Sequence, residues 1–232
     1  MEIKNRLKKL KSLKKMPRHH HHHHHSYTGP KSRLRVAHNV AGGPNVDGYL
    51  DGKQVLKRVP YKTISDYLEV DSGEHVVTVV PEQTSNVLVE GSLLLEPGQS
   101  YTAIVHGDVK SGKIAILALE DDLDCPAVGN AHLRFIHAAA TVPAVDVYAN
   151  EERILNNVSY GETGYPTYLP VAAGEYMIDV TAAGDENVVF SAPLLLQDRQ
   201  IYTVIASGLL DNENTPIDAL VTEDSHGMCV TL

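Results

Sequence analysis

The sequence contains no tryptophan and only 2 phenylalanines, so its 6% aromatic content is almost all carried by 11 tyrosines. Stacking on nucleic-acid bases needs exposed aromatic planes beside basic residues, and no such cluster occurs along the chain. Cysteine occurs twice, too rarely for a disulfide scaffold. No stretch approaches the roughly 18 apolar residues that a membrane-spanning helix needs. The N-terminus is charged, but Lys14, Lys15, Arg18 and a run of histidines stand where the apolar part of a secretory signal would have to be. No standard signal peptide is therefore expected. The Gly-x-Ser-x-Gly nucleophile turn, the Gly-rich phosphate loop and the His-Glu-x-x-His metal pair are all missing. An enzyme is not expected.

Apolar residues make up 43% of the 232 positions and charged residues 21%, which is ordinary for a globular protein of one large or two average domains. The net charge of -9 conceals an asymmetry. Residues 1–18 hold 8 Lys/Arg against one Glu, and the rest of the chain holds 12 Lys/Arg against 28 Asp/Glu. A basic arm precedes an acidic body. Such a body repels nucleic acid and anionic lipid, whereas the arm attracts them.

The acidic body repeats itself. Leu34-Arg35-Val36-Ala37-His38 returns as Leu133-Arg134-Phe135-Ile136-His137, and Pro44, Asp47, Tyr49 and Tyr61 return as Pro143, Asp146, Tyr148 and Tyr160. Further on, Tyr67-Leu68, Gly73, Tyr101-Thr102 and Gly107 match Tyr168-Leu169, Gly174, Tyr202-Thr203 and Gly208. Glu120-Asp121 matches Glu223-Asp224. Ordered matches over a whole unit imply two homologous domains.

Each unit reads as short strands. In the first, strands are expected over 33–38, 45–50, 53–59, 66–70, 75–80, 87–95, 100–106 and 113–119. Asp51-Gly52 between two such runs is a hairpin signal, because both turn positions need positive φ. Alternation agrees: Leu34, Val36 and His38 share one strand face and Arg35 and Ala37 the other, while Tyr202, Val204 and Ala206 lie opposite Thr203 and Ile205. Regular short strands separated by turn residues indicate a β-sandwich.

The repeated signature is a strand ending in His, a loop with Pro, a Val-Asp-x-Tyr strand, a Tyr-Leu pair before a Gly turn, and a closing Tyr-Thr strand. The second unit carries it best, in His137, Pro143-Ala144-Val145-Asp146-Val147-Tyr148, Tyr168-Leu169-Pro170-Val171 and Ala173-Gly174. The first departs at Asn45 and Gly48 and lacks the proline after Leu68. Over residues 33–224 the sequence resembles a bacterial family of tandem Ig-like or transthyretin-like β-sandwich modules, domain-of-unknown-function family 4397. The resemblance implies a fold and an exported, envelope or surface setting. The family has no established catalytic residues to carry over.

The fold class is thus all-β, with two tandem Ig-like β-sandwich domains behind a basic, His-rich N-terminal arm. The expected division is an arm over 1–31, repeat 1 over 32–124, a linker over 125–130, repeat 2 over 131–225 and a tail over 226–232.

Four groups of residues invite a chemical role. His38 with Asp47 and His137 with Asp146 are the polar pairs that recur in both units. No nucleophile recurs beside them, so a structural role is expected, with each ring N–H satisfied by a loop carbonyl or the carboxylate. Asp121, Asp122 and Asp124 crowd the junction between the units, where Ca²⁺ binds if several hard oxygen ligands converge. A solvated charged linker is the alternative. Cys125 and Cys229 each follow the end of a unit. A bond between them within one chain needs the two units folded back tightly, so free thiols or disulfides between neighbouring subunits are expected instead. His19, His20, His21, His22, His23, His24 and His25 are either a purification tag or a native His-rich tract, and in both cases bind Zn²⁺ or Ni²⁺ adventitiously. No cofactor is otherwise expected.

The arm places Ile3, Leu7, Leu10 and Leu13 at helical spacing among lysines, with Pro17 as a stop. It is suited to an anionic surface or to a neighbouring acidic body, or else it is a solvated tail. Together these features predict a non-catalytic surface or structural module that assembles with itself or with another surface protein. Its expected setting is a spore coat, cell envelope or virion. The alternative function is a metal- or ligand-binding module using the His run or the acidic junction.

Overall fold

The computed structural model describes residues 29–166, 168–224 and Cys229. The arm's stripe, its positive charge and His19 to His25 lie outside the described residues. Repeat 1 contains β1 (Ser32–Ala41), β2 (Val46–Leu50), β3 (Lys53–Val59), β4 (Thr63–Ile64), β5 (Leu68–Val70), β6 (Gly73–Pro81), β7 (Val89–Leu95), β8 (Ser100–Asp108) and β9 (Lys113–Glu120). Repeat 2 contains β10 (Asn130–His137), β11 (Val145–Ala149), β12 (Glu152–Val158), β13 (Leu169–Ala172), β14 (Gly174–Ala182), β15 (Val188–Leu196), β16 (Ile201–Ser207) and β17 (Asp218–Glu223). No helix occurs among the described residues.

Each repeat is a sandwich of two sheets. In repeat 1 the order β4-β1-β8-β9, with β5 also on β1, faces the order β3-β2-β6-β7. In repeat 2 the orders are β13-β10-β16-β17 and β12-β11-β14-β15. The first strand of each repeat runs parallel to its last but one, β1 with β8 and β10 with β16. All other strand pairs are antiparallel.

The local chemistry explains the turns. Asp51 and Gly52 both have positive φ, as the two-residue hairpin between β2 and β3 requires. Asn150 and Glu151 take the same conformation between β11 and β12 without a glycine. Gly107 and Gly208 meet a stricter demand. Each has positive φ, and a Cβ would overlap the carbonyl oxygen of Lys113 or of Pro216 on the adjoining chain.

The alternating strand pattern fills the two sandwich cores. Leu34, Val36, Val40, Val77, Val79, Leu95 and Val105 pack inside repeat 1, and Leu133, Phe135, Val147, Ile178, Val180 and Val204 inside repeat 2. A third apolar cluster lies between the repeats. Ala37, Ile104, Ile136 and Ile205 are fully buried there, and Leu117, Leu119 and Leu220 pack against them. The sheets carrying β1 and β10 therefore stack back to back. This is why β1 is buried on both faces, whereas a half-solvated strand would expose every second residue.

Candidate functional site: a buried charge network between the repeats

Arg35 on β1 and Arg134 on β10 occupy equivalent positions on the stacked faces. Each reaches across to the other repeat. The Arg35 Nη2 donates to Asp224 Oδ1 at 2.6 Å, and the Arg134 Nη2 donates to Asp121 Oδ1 at 2.6 Å. The diagonal separations, Arg35 to Asp121 and Arg134 to Asp224, are 4.0 and 3.9 Å. Two cations and two anions thus alternate in a ring, exchanged between the repeats as two-fold symmetry would exchange them. All four side chains are at most 3% exposed.

Neighbours complete the hydrogen bonding. The Arg35 Nε donates to Thr102 Oγ1 at 2.9 Å and the Arg134 Nε to Thr203 Oγ1 at 3.1 Å. Those threonine hydroxyls donate onward to Asp121 and Asp224. Tyr67 and Tyr168 donate to the same two carboxylates, each at 2.8 Å. Their rings lie under the guanidinium groups at 4.7 and 4.5 Å, a cation–π contact. Burial works against the Arg35 charge, but Asp224 and Asp121 together outweigh it and hold the guanidinium above its ordinary range. Burial is the main cause that pushes both tyrosine phenols well up, so they stay protonated donors. With both charges of each pair matched, the ring fixes how the repeats register rather than exposing a reactive group.

More contacts follow the same exchange. The Tyr61 hydroxyl meets Ser207 Oγ at 2.8 Å, and the Tyr160 hydroxyl meets His106 Nδ1 at 2.6 Å. His106 and Ser207 are equivalent positions on β8 and β16. Burial lowers the His106 pKa. Lys62 also pairs with Asp218 across the junction.

The repeated His and Asp residues do not pair with each other. His38 and His137 each donate from Nε2 to a loop carbonyl, of Pro44 and Pro143, at 2.9 Å. Burial lowers the pKa of both. Asp47 instead accepts from the amide of Arg58 at 2.8 Å, and Asp146 from that of Asn157 at 2.7 Å. Arg58 and Asn157 have positive φ where the pairing with β2 and β11 shifts register, so the carboxylates secure a β-bulge. The Asn157 amide is the main cause holding the Asp146 carboxyl below its usual range.

The junction aspartates are placed apart, and one expectation, for the cysteines, is corrected. Asp121, Asp122 and Asp124 do not converge on a shared point. Asp121 turns inward to Arg134, Thr102 and Tyr67, while Asp122 accepts the Asp124 amide at 3.1 Å. The carboxylate a Ca²⁺ site would need is already neutralised by a guanidinium. Among the described residues no group of three or more His, Cys, Asp and Glu is placed to hold a metal. Cys125 and Cys229, expected as free thiols or links between subunits, instead form a disulfide within the chain, with Cα atoms 5.3 Å apart. They follow the two exchanged carboxylates, so stacking the sheets brings them together.

Beside this network a half-open cleft of about 670 Å³ separates the repeats, its rim formed by Arg33, Gln99, Glu120, Asp122 and Thr163. Asp121 and Arg134 line it as well, already joined to each other. In sequence Arg35 lies on the strand face opposite Leu34, Val36 and His38, and nothing local says what covers that face. The available signals were an arginine at the same position of both repeats and an apolar Ala37 or Ile136 two residues later on the same face.

A family model described as "Domain of unknown function (DUF4397)" matches residues 32–148 and 131–228, two tandem copies. No curated protein matches the chain significantly. Among solved structures, a streptococcal virulence factor described as binding alpha-glucan shares 11% identity, with 81% of this chain and 97% of that one covered and a TM-score of 0.26. A putative cell adhesion protein from Bacteroides eggerthii shares 10% identity over 84% and 96% of the two chains, with a TM-score of 0.21. One from Bacteroides fragilis shares 8% over 83% and 97%, with a TM-score of 0.20. Likeness at that level carries no functional argument.

Proposed function

The chain belongs to the DUF4397 family, with two tandem copies of its domain, and from that premise we propose that it is a non-catalytic surface module that assembles with itself or binds a partner. A spore, envelope or virion surface is its setting. The carrying observation is that the arginine and histidine side chains repeated in both units, and the aspartates beside them, are consumed inside the body. The arginines and carboxylates neutralise one another, the histidines hold loop carbonyls, and Asp47 and Asp146 hold bulge amides. A hydrolytic or transfer site needs a nucleophile beside a base and a place for the reacting atom, and these residues form none.

What remains outside is recognition surface. Leu94 and Leu195, equivalent residues on the outer sheets, are 61% and 54% exposed, and Val76 and Met177 beside them are also exposed. No helix among the described residues is long and apolar enough to cross a membrane. Light scattering after size exclusion tests the proposal. A mass above the 25.3 kDa of one chain, unchanged by reductant, is the expected result. A monomer at every concentration would remove self-assembly and leave binding to another molecule.

A further inference from the structure

One rim of the sandwich is closed in repeat 1 and open in repeat 2. Strand register fixes the equivalent positions. Gly91 on β7 lies opposite Val77 as Ala192 on β15 lies opposite Ile178, and Ile116 on β9 lies opposite Val105 as Ala219 on β17 lies opposite Ala206. In repeat 1 the Ile116 side chain packs on the core, with its Cδ1 3.5 Å from where a Cβ on Gly91 would stand. It bridges the two sheets, and β7 and β9 are in contact there. In repeat 2 that side chain is cut back to the methyl of Ala219, and no comparable contact joins β15 to β17. Leu194 is accordingly only half-buried, whereas its counterpart Leu93 is 9% exposed. Two adjoining hollows of about 40 and 30 Å³ occupy the place, and share Phe135, Ile178, Phe190, Val204 and Ala219 as walls. The larger is lined by apolar residues alone and reaches the surface at Val221, which is 46% exposed.

We propose that this slot of repeat 2 binds the alkyl group of a small uncharged molecule, seated where Ile116 sits in repeat 1. The sister repeat shows which chemistry and size fit the place: a short branched aliphatic chain between two sheets. A hollow with an apolar wall gives water no partners, so an alkyl group gains by leaving water for it. The residues that line the two hollows include no cation, and their one carboxylate, on Asp218, is engaged by Lys62. A ligand ending in a carboxylate would find no counter-charge there, which selects an uncharged molecule over a fatty acid. Repeat 1 has the same frame with its own isoleucine in the slot. One repeat is therefore self-filled and the other receptive.

Methyl-resolved NMR on the full chain tests this, with 3-methylbutan-1-ol as the probe and 3-methylbutanoate as its charged counterpart. The alcohol is expected to shift the methyl signals of Ile178, Leu194 and Val221 saturably and to leave Val77 and Leu93 unmoved. The carboxylate is expected to shift none of them. The double variant Ala192→Gly with Ala219→Ile copies the pair that closes repeat 1, and is expected to abolish the response. Where that variant does not fold, the contrast between Leu194 and Leu93 in the unchanged protein decides alone. Shifts that grow linearly without saturating, equal shifts in the two repeats, an equal response to the carboxylate, or a response that survives in the folded double variant would each overturn the proposal. The self-assembly proposed above is read by mass, so the two ideas fail separately.

Discussion

Replacing Asp224 by alanine leaves the Arg35 guanidinium buried with no carboxylate in contact, since Asp121 stands 4.0 Å away and is held by Arg134. Water cannot compensate at 2% side-chain exposure. Breaking a buried pair from one side costs about 3–5 kcal/mol. The donors Tyr168 and Thr203 lose their acceptor in the same step. For a chain of this size each kcal/mol moves the melting temperature by about 2–4 °C, so a fall of roughly 6–20 °C is expected by calorimetry. Arg134 with Asp121 stands in the equivalent geometry, so Asp121→Ala is expected to cost a similar amount. The double variant Arg35→Met with Asp224→Leu removes both charges and is expected to recover most of the loss, because it strands no ion. An Asp224→Ala protein melting within about 2 °C of the parent would refute the claim that the ring is a desolvated, mutually dependent set.

Three further outcomes follow from the geometry. His38, His106 and His137 all have pKa values lowered by burial, so the unfolded chain binds protons that the folded one refuses. Stability is then full above about pH 6.5 and declines as pH falls below it through the folded values, which denaturant midpoints between pH 7.5 and pH 5 would show as a slope and a flat profile would contradict. Reducing the Cys125–Cys229 bond opens a loop of 104 residues and is expected to cost up to about 4–5 kcal/mol, seen as a lower urea midpoint, with no change expected in native mass. Gly208→Ala places a methyl against the Pro216 carbonyl at positive φ and is expected to destabilise by more than about 1 kcal/mol, whereas the same change at Gly184, where nothing lies close, costs only the conformational strain.

The sandwiches were legible in the sequence because their rules are local. Asp51-Gly52 marks its own hairpin, and Leu34, Val36 and Val40 mark one face of β1. The charge network was not legible, because its partners are remote: Arg35 and Asp224 are 189 residues apart. On an alternating strand, an arginine between apolar residues points away from the sandwich core, and only a second sheet against that face turns it into a buried group. The His38–Asp47 pair left two partners open for the ring, a loop carbonyl or the carboxylate, and the fold chooses the carbonyl. Nine residues of separation bring two side chains near in sequence, yet β1 and β2 belong to opposite sheets, so the ring and the carboxylate find different partners. The cysteines were placed at the right boundaries, but whether they meet within a chain depends on how the repeats stack, which no local pattern encodes.

Because Arg35 needs the carboxylate that ends repeat 2, and Arg134 the one that ends repeat 1, neither domain is complete by its own residues. A contact of this kind uses the same surface from both sides and closes on itself. A third copy joined in tandem would bring an arginine-bearing sheet with no mate and a carboxylate with no cation. Parity, rather than length, is thus what this interface imposes on the chain: two copies satisfy it, and a third leaves one arginine and one carboxylate over.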